Sequence, residues 1–145
     1  MLRVTPLAFL LLSVLGCKGV QPSDLTGSWV MTDASRQFLP DKLRKASAKI
    51  VLNADGSFVV SDVPGLFYVP GRRDMRLEAG SGSWKLVSRE GDQQIQLDFY
   101  AIPGWSNTEL PYGMQLDVSK GWSQTKLFYF LGDPDEGQRI EFAKR

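Results

Sequence analysis

The chain has 145 residues, enough for one domain with a sizeable core. It carries 17 basic and 16 acidic residues and no histidine, so it lacks the concentrated positive field of a nucleic-acid binder, and most catalytic triads and common zinc sites are excluded. A single cysteine, Cys17, allows no internal disulfide, and the core must hold by packing alone.

The first residues read as a delivery signal. Met1-Leu2-Arg3 gives a weakly positive start, and an apolar run over 4–15 follows that is too short for a stable membrane span. It ends in Val14-Leu15-Gly16-Cys17, which resembles the lipobox of bacterial lipoproteins, where a small residue precedes a cysteine that is lipidated before cleavage. The resemblance covers the first seventeen residues. It implies a signal peptide over 1–16, lipidation of Cys17 with palmitate-like acyl chains, and a place in the cell envelope. Lys18 stands where an inner-membrane retention signal would have aspartate, which points to the outer membrane with the domain on the periplasmic side. At ~0.8 kcal/mol per buried methylene, more than one long chain anchors durably. An ordinary secretory signal with an incidental cysteine is the alternative reading. Without Arg3 of the leader, sixteen basic residues face sixteen acidic ones and the mature chain is formally neutral. Residues 17–24 read as the lipidated cysteine and a tether reaching at most about 25 Å; residues 25–145 form the domain.

The domain opens on Gly27-Ser28-Trp29, the start of a first strand over 27–32. Residues 34–46 change character, and Asp41 is placed to cap a short helical turn. Strand spacing returns at 48–52 with Ile50 and Leu52 on one face. Asn53-Ala54-Asp55-Gly56 is a turn signal, and Phe58 and Val60 alternate in the third strand, over 57–61. After an irregular stretch, 80–87 repeats the Gly-Ser-Trp tripeptide as the fourth strand. In 94–100, Ile95, Leu97 and Phe99 alternate with Gln94, Gln96, Asp98 and Tyr100. Three more strands follow at 112–118, 126–131 and 139–143, the seventh apolar on both faces.

Eight strands without a helix long enough for a crossover must pair antiparallel as a meander. Eight also suffice to close a barrel and abolish the edges. The expected fold is therefore all-β: an eight-stranded antiparallel up-and-down barrel with a short helical segment between strands one and two. A smaller packed barrel or a flattened sandwich without a cavity is the competing shape. Gly27-Ser28-Trp29 opening such a meander resembles the first motif of the lipocalin superfamily. That resemblance implies that Trp29 packs across the closed base, with Arg139 a candidate for the arginine over it, and that a small apolar ligand is bound inside the barrel.

In a meander the connections alternate between the two ends. Here long loops fall after strands one, three, five and seven, and tight turns fall after two, four and six. The tether leaves from the tight-turn base, so the long-loop mouth faces away from the membrane, and loops on a rigid scaffold are where binding usually sits. The mouth offers Phe38, Leu39, Leu66, Phe67, Tyr68 and Trp105 beside Arg72 and Arg73 (with Arg44 and Lys45), an aromatic–arginine mixture of the kind enriched at recognition hot spots. The alternative is that 66–69 folds back to plug the barrel and the basic residues form a solvated rim.

Other patterns carry less chemistry. Asp133-Pro134-Asp135-Glu136-Gly137 lacks the calcium-loop spacing and reads as a turn. Asp98 and Asp117 turn outward, and no histidine is present to activate a serine. Gly80-Ser81-Gly82-Ser83 precedes a strand, not the helix that a phosphate cradle needs. These residues suggest no enzyme, no metal and no cofactor. Two readings remain: a membrane-anchored lipocalin-like protein binding a small hydrophobic or amphipathic molecule, or an envelope interaction protein (assembly factor, inhibitor or immunity-like) presenting the mouth to another protein.

Overall fold

A computed structural model describes residues 19–67 and 75–145. The leader, Cys17, Lys18, Tyr68, Arg72 and Arg73 lie outside the described residues. Strands β1 (Gly27–Met31), β2 (Lys49–Leu52), β3 (Ser57–Pro64), β4 (Leu77–Arg89), β5 (Asp92–Ala101), β6 (Tyr112–Lys120), β7 (Thr125–Phe130) and β8 (Arg139–Lys144) pair antiparallel in sequence order. β8 returns to β1 through Trp29↔Lys144, Val30↔Ala143 and Met31↔Phe142, which closes the barrel.

Period-two alternation produces this wall. In β5 the inward Ile95, Leu97 and Phe99 are fully buried, and their β6 partners Leu116, Met114 and Tyr112 face the same interior. The outward Gln94 and Gln96 instead bond to Asp117 and Asp98. β3 runs three residues beyond its expected end and β4 begins three residues before its expected start. A bulge explains both. Asp62 adopts φ 52, and the register shifts between Val60 and Val63, so that Val63 and Pro64 resume pairing with Glu78 and Leu77. The extra residue breaks the alternation that marks a strand in sequence.

The base is built on Trp29. Its indole is fully buried and its Nε1 donates to the carbonyl of Leu25 at 2.8 Å. Leu25 ends a single helical turn, α1 (Pro22–Leu25), and is itself fully buried. The cation beside Trp29 is Lys144, 5.8 Å from the ring centre and bonded to the Asp24 carbonyl. Arg139 cannot take that place, because β8 starts at the mouth and ends at the base. Arg139 stands five positions before Lys144, and it lies over Phe128 on the outer wall.

The expected tether is docked from Gly19 onward. Val20 is buried, its N–H donates to Gln93 Oε1 at 2.7 Å, and Gln93 Nε2 donates back to its carbonyl at 2.8 Å. Two apolar side chains, Val20 and Leu25, supply the reason: each is buried only if the segment folds across the base.

Between β1 and β2, the expected short helical segment takes the form of 3₁₀ turns at Asp33–Phe38 and Asp41–Leu43. Pro40, not Asp41, holds the cap position; Asp41 lies inside the turn and pairs with Arg44 at 3.0 Å. Arg36 donates to the carbonyls of Arg44 and Ala46, which folds the segment on itself. Ser35 clamps it to the barrel, accepting from the Glu141 N–H at 2.8 Å.

Glu141 is the buried charge of the outer wall, its side chain 11% exposed between Lys126 at 2.7 Å and Arg139. Burial alone would raise its pKa. The Lys126 hydrogen bond and the Arg139 and Lys126 charges outweigh that and hold the carboxyl below its ordinary 4.5. A depressed folded pKa stabilises the fold above the unfolded value, and the contribution is lost as pH falls through the folded value. Both cations are more than a third exposed, so Glu141→Gln is expected to cost about 1 kcal/mol at neutral pH. Urea midpoints of the two proteins should converge in acid, once the pH has fallen through the lowered folded value. A gap that persists in acid would mean that shape, not charge, is lost.

Candidate functional site

Long connections collect at one end of the barrel and tight turns at the other. Residues 32–48, 65–76, 102–111 and 131–138 join strands at the mouth, and 53–56, 90–91 and 121–124 at the base. At the base turn Glu90 and Gly91 both adopt positive φ, 49 and 95, the geometry that closes a two-residue hairpin. At the mouth, Asp133 accepts from the Asp135 N–H at 2.9 Å and caps the 3₁₀ turn Pro134–Glu136, so the acidic run is a turn.

Much of the mouth's apolar sequence is spent closing the barrel. Leu39 and Leu66 are buried in the core cluster, and Phe38, Phe67 and Trp105 pack against it half-buried. Phe67 lies edge-on to Phe99 at 5.1 Å and to Tyr112 at 5.3 Å, and touches Trp105 at 5.3 Å. Phe99 in turn meets Phe58 at 4.8 Å. A column of aromatic rings thus descends from the mouth into the interior, whose fully buried side chains continue to Trp29 at the base. Filling the axis brings Phe67 and Trp105 together, while Phe38 and Leu39 belong to the separate segment between β1 and β2.

The wall itself opens at the mouth. β6 pairs with β5 along its length from Tyr112 to Asp117, but its pairing with β7 stops at Asp117↔Phe128. Beyond that point the mouth halves of β6 and β7 diverge around a cleft of about 410 Å³. Tyr112, Met114, Gln115 and Asp117 line one side, Tyr129 and Phe130 the other, and Gly65, Leu66 and Phe67 lie across it. The volume falls within the roughly 300–1,000 Å³ typical of small-molecule sites. Tyr129 fixes the geometry by donating from its hydroxyl to the Pro64 carbonyl, which ties the loop after β3 to β7. Burial, helped by the nearby Glu78 carboxylate, pushes the Tyr129 phenol well above its ordinary range, so it remains a donor. Glu78 faces Val63 across the β3–β4 pair and is raised by burial against the opposing pull of Arg76.

Chemically the cleft brings aromatic rings and a thioether together with one carboxylate and one amide. Among the described residues expected at the site, Leu66 and Phe67 line it and Phe38, Leu39 and Trp105 do not. Tyr112, Met114, Gln115, Asp117, Tyr129 and Phe130 were not anticipated. The signal in sequence was β7, whose outward Phe128 and Phe130 are unusual beside its inward Leu127 and Tyr129. A second crevice, about 500 Å³ and lined by Pro22, Trp84 and Leu86 among others, lies at the base beside α1. Among the described residues no group of three or more His, Cys, Asp or Glu is placed to hold a metal. No family model, curated protein or solved structure significantly matches this chain. The likeness to lipocalins is one of architecture: a closed eight-stranded meander with a tryptophan across its base.

Proposed function

We propose that this chain is a lipocalin-like binding protein, anchored in the bacterial outer membrane through acylated Cys17, that holds a small amphipathic molecule in the β6–β7 cleft. It acts by binding, with no chemical step. The observation that carries the reading is the early end of β6–β7 pairing, which opens a pocket of ligand size in an otherwise closed wall. Because aromatic side chains fill the barrel axis, the ligand enters from the side instead of lying in an axial calyx. Asp117 and Gln115 face its polar end, while Tyr112, Met114 and Phe130 receive the apolar body.

The test is native mass spectrometry of the protein purified gently from its own envelope. A discrete extra mass released by denaturation is expected. Asp117→Ala with Phe130→Ala, both partly exposed positions, should lower its occupancy about tenfold, as loss of one or two good contacts does. A bound mass unaffected by that double variant would remove the cleft as its site.

A second reading rests on the same divergence. The mouth half of β6 has a pairing edge that β7 does not use, and an extended segment of another envelope protein could add there as a strand. A photo-crosslinker at exposed Gln115 would capture such a partner in cells. A clean apo mass together with that capture would favour the second reading over the first.

A further inference from the structure

The base carries one side chain that neither the fold nor the cleft uses. Trp122 stands at the tip of the β6–β7 turn with a relative exposure of 110%, the highest of the large apolar residues that are exposed among those described. The turn is closed by Gly121 N–H to the Gln124 carbonyl at 3.1 Å, so the indole is presented on a tight hairpin and not on a loose loop.

Its position relative to the chain's exit decides its role. Gly19 leaves the barrel against Gln93, at the base end of β5, and the two hydrogen bonds of Val20 hold it there. β5 and β6 are bonded neighbours, with Gln94 opposite Asp117, so Val118 lies level with Gln93. From that level β6 continues to Lys120 and then into the Trp122 turn. At ~3.3 Å per residue the indole projects on the order of 10 Å past the docking point of the exit segment. Only Lys18 separates Gly19 from Cys17, and two residues of chain span at most ~7 Å. An acyl anchor on Cys17 therefore brings the bilayer surface to the level of the turn.

We infer that Trp122 is a membrane-interface contact: its indole lies in the lipid headgroup region beside the anchor and fixes the barrel's orientation on the bilayer. Tryptophan prefers this zone because its ring is apolar and its N–H can stay hydrated. The inference rests on Cys17 acylation, and the experiment reads the two separately.

The acylated full-length protein and its Trp122→Ser variant are reconstituted into phosphatidylethanolamine–phosphatidylglycerol vesicles with and without brominated acyl chains. The fluorescence difference between the two proteins isolates Trp122 from the other three tryptophans. Brominated lipid is expected to quench this component about twofold and shift it to the blue, while aqueous iodide loses access to it. An acylated protein whose Trp122 component is unquenched by bromine and open to iodide would overturn the inference while the anchor stands. The intact mass reports acylation independently. An unmodified Cys17 removes the anchor; quenching of Trp122 in that protein would still support a lipid contact, and no quenching would end both ideas.

Discussion

Gly82→Ala is expected to cripple the fold, costing about 3 kcal/mol or more, near the upper end of overpacking and bulge effects. A Cβ built on Gly82 would lie 1.9 Å from the Asp98 carbonyl oxygen and 3.0 Å from the Phe99 Cα. Both are backbone atoms of the neighbouring strand, which cannot swing aside as a flexible side chain would. The cause is the bulge between Ser81 and Gly82, which sets Ser81 opposite Ala101 and Gly82 opposite Phe99 and draws β4 against β5. Gly80 completes the device, since the Phe99 ring lies over it and a Cβ there would meet Phe99 Cδ1 at 2.7 Å. The measurement is the urea midpoint of Gly82→Ala against Ser83→Ala one residue away. A Gly82 variant as stable as the Ser83 control would show that β4 and β5 can separate without loss. The glycines that resembled a phosphate cradle are thus a site of close strand approach.

Trp29→Ala should be nearly as damaging, at about 3–5 kcal/mol for a fully buried large aromatic residue. Two further losses accompany the cavity. The Leu25 carbonyl loses its indole donor, and Lys144 loses the ring beneath its ammonium. Trp29→Phe separates these effects: it keeps most of the ring but orphans the carbonyl, at about 1–2 kcal/mol. Native-state hydrogen exchange at Val20 N–H reads the local consequence, because α1 is held partly by that indole. Equal destabilisation by the two variants would assign the effect to the hydrogen bond and leave the packing of the ring without a role. Faster exchange at Val20 in Trp29→Phe would show that the basal segment and the barrel floor unfold together.

The site was less legible than the fold, for a local reason. Aromatic residues in the mouth loops look like a recognition surface in sequence, but Leu39, Leu66 and Phe67 have an apolar interior within reach and fill it. The cleft instead depends on where β6 and β7 stop pairing, and strand divergence leaves no residue pattern of its own. Lys144 replaced Arg139 beside Trp29 because strand direction, and not closeness to the C-terminus, decides which end of β8 reaches the base.

What the sequence by itself determined was the wall. Alternation in 94–100, the Asn53–Gly56 turn signal and the absence of a crossover helix fix an antiparallel order of eight strands, because side chains two apart must share a face and short links allow only neighbours to pair. The same connection lengths determined which end carries the loops. Tertiary structure alone decided how the ends are finished: the bulge at Asp62, the docking of 19–25 under Trp29, the aromatic plug and the opening beside Tyr129. These depend on contacts between residues distant in the chain, such as Val20 with Gln93 or Pro64 with Tyr129, whose geometry exists only once the barrel has closed.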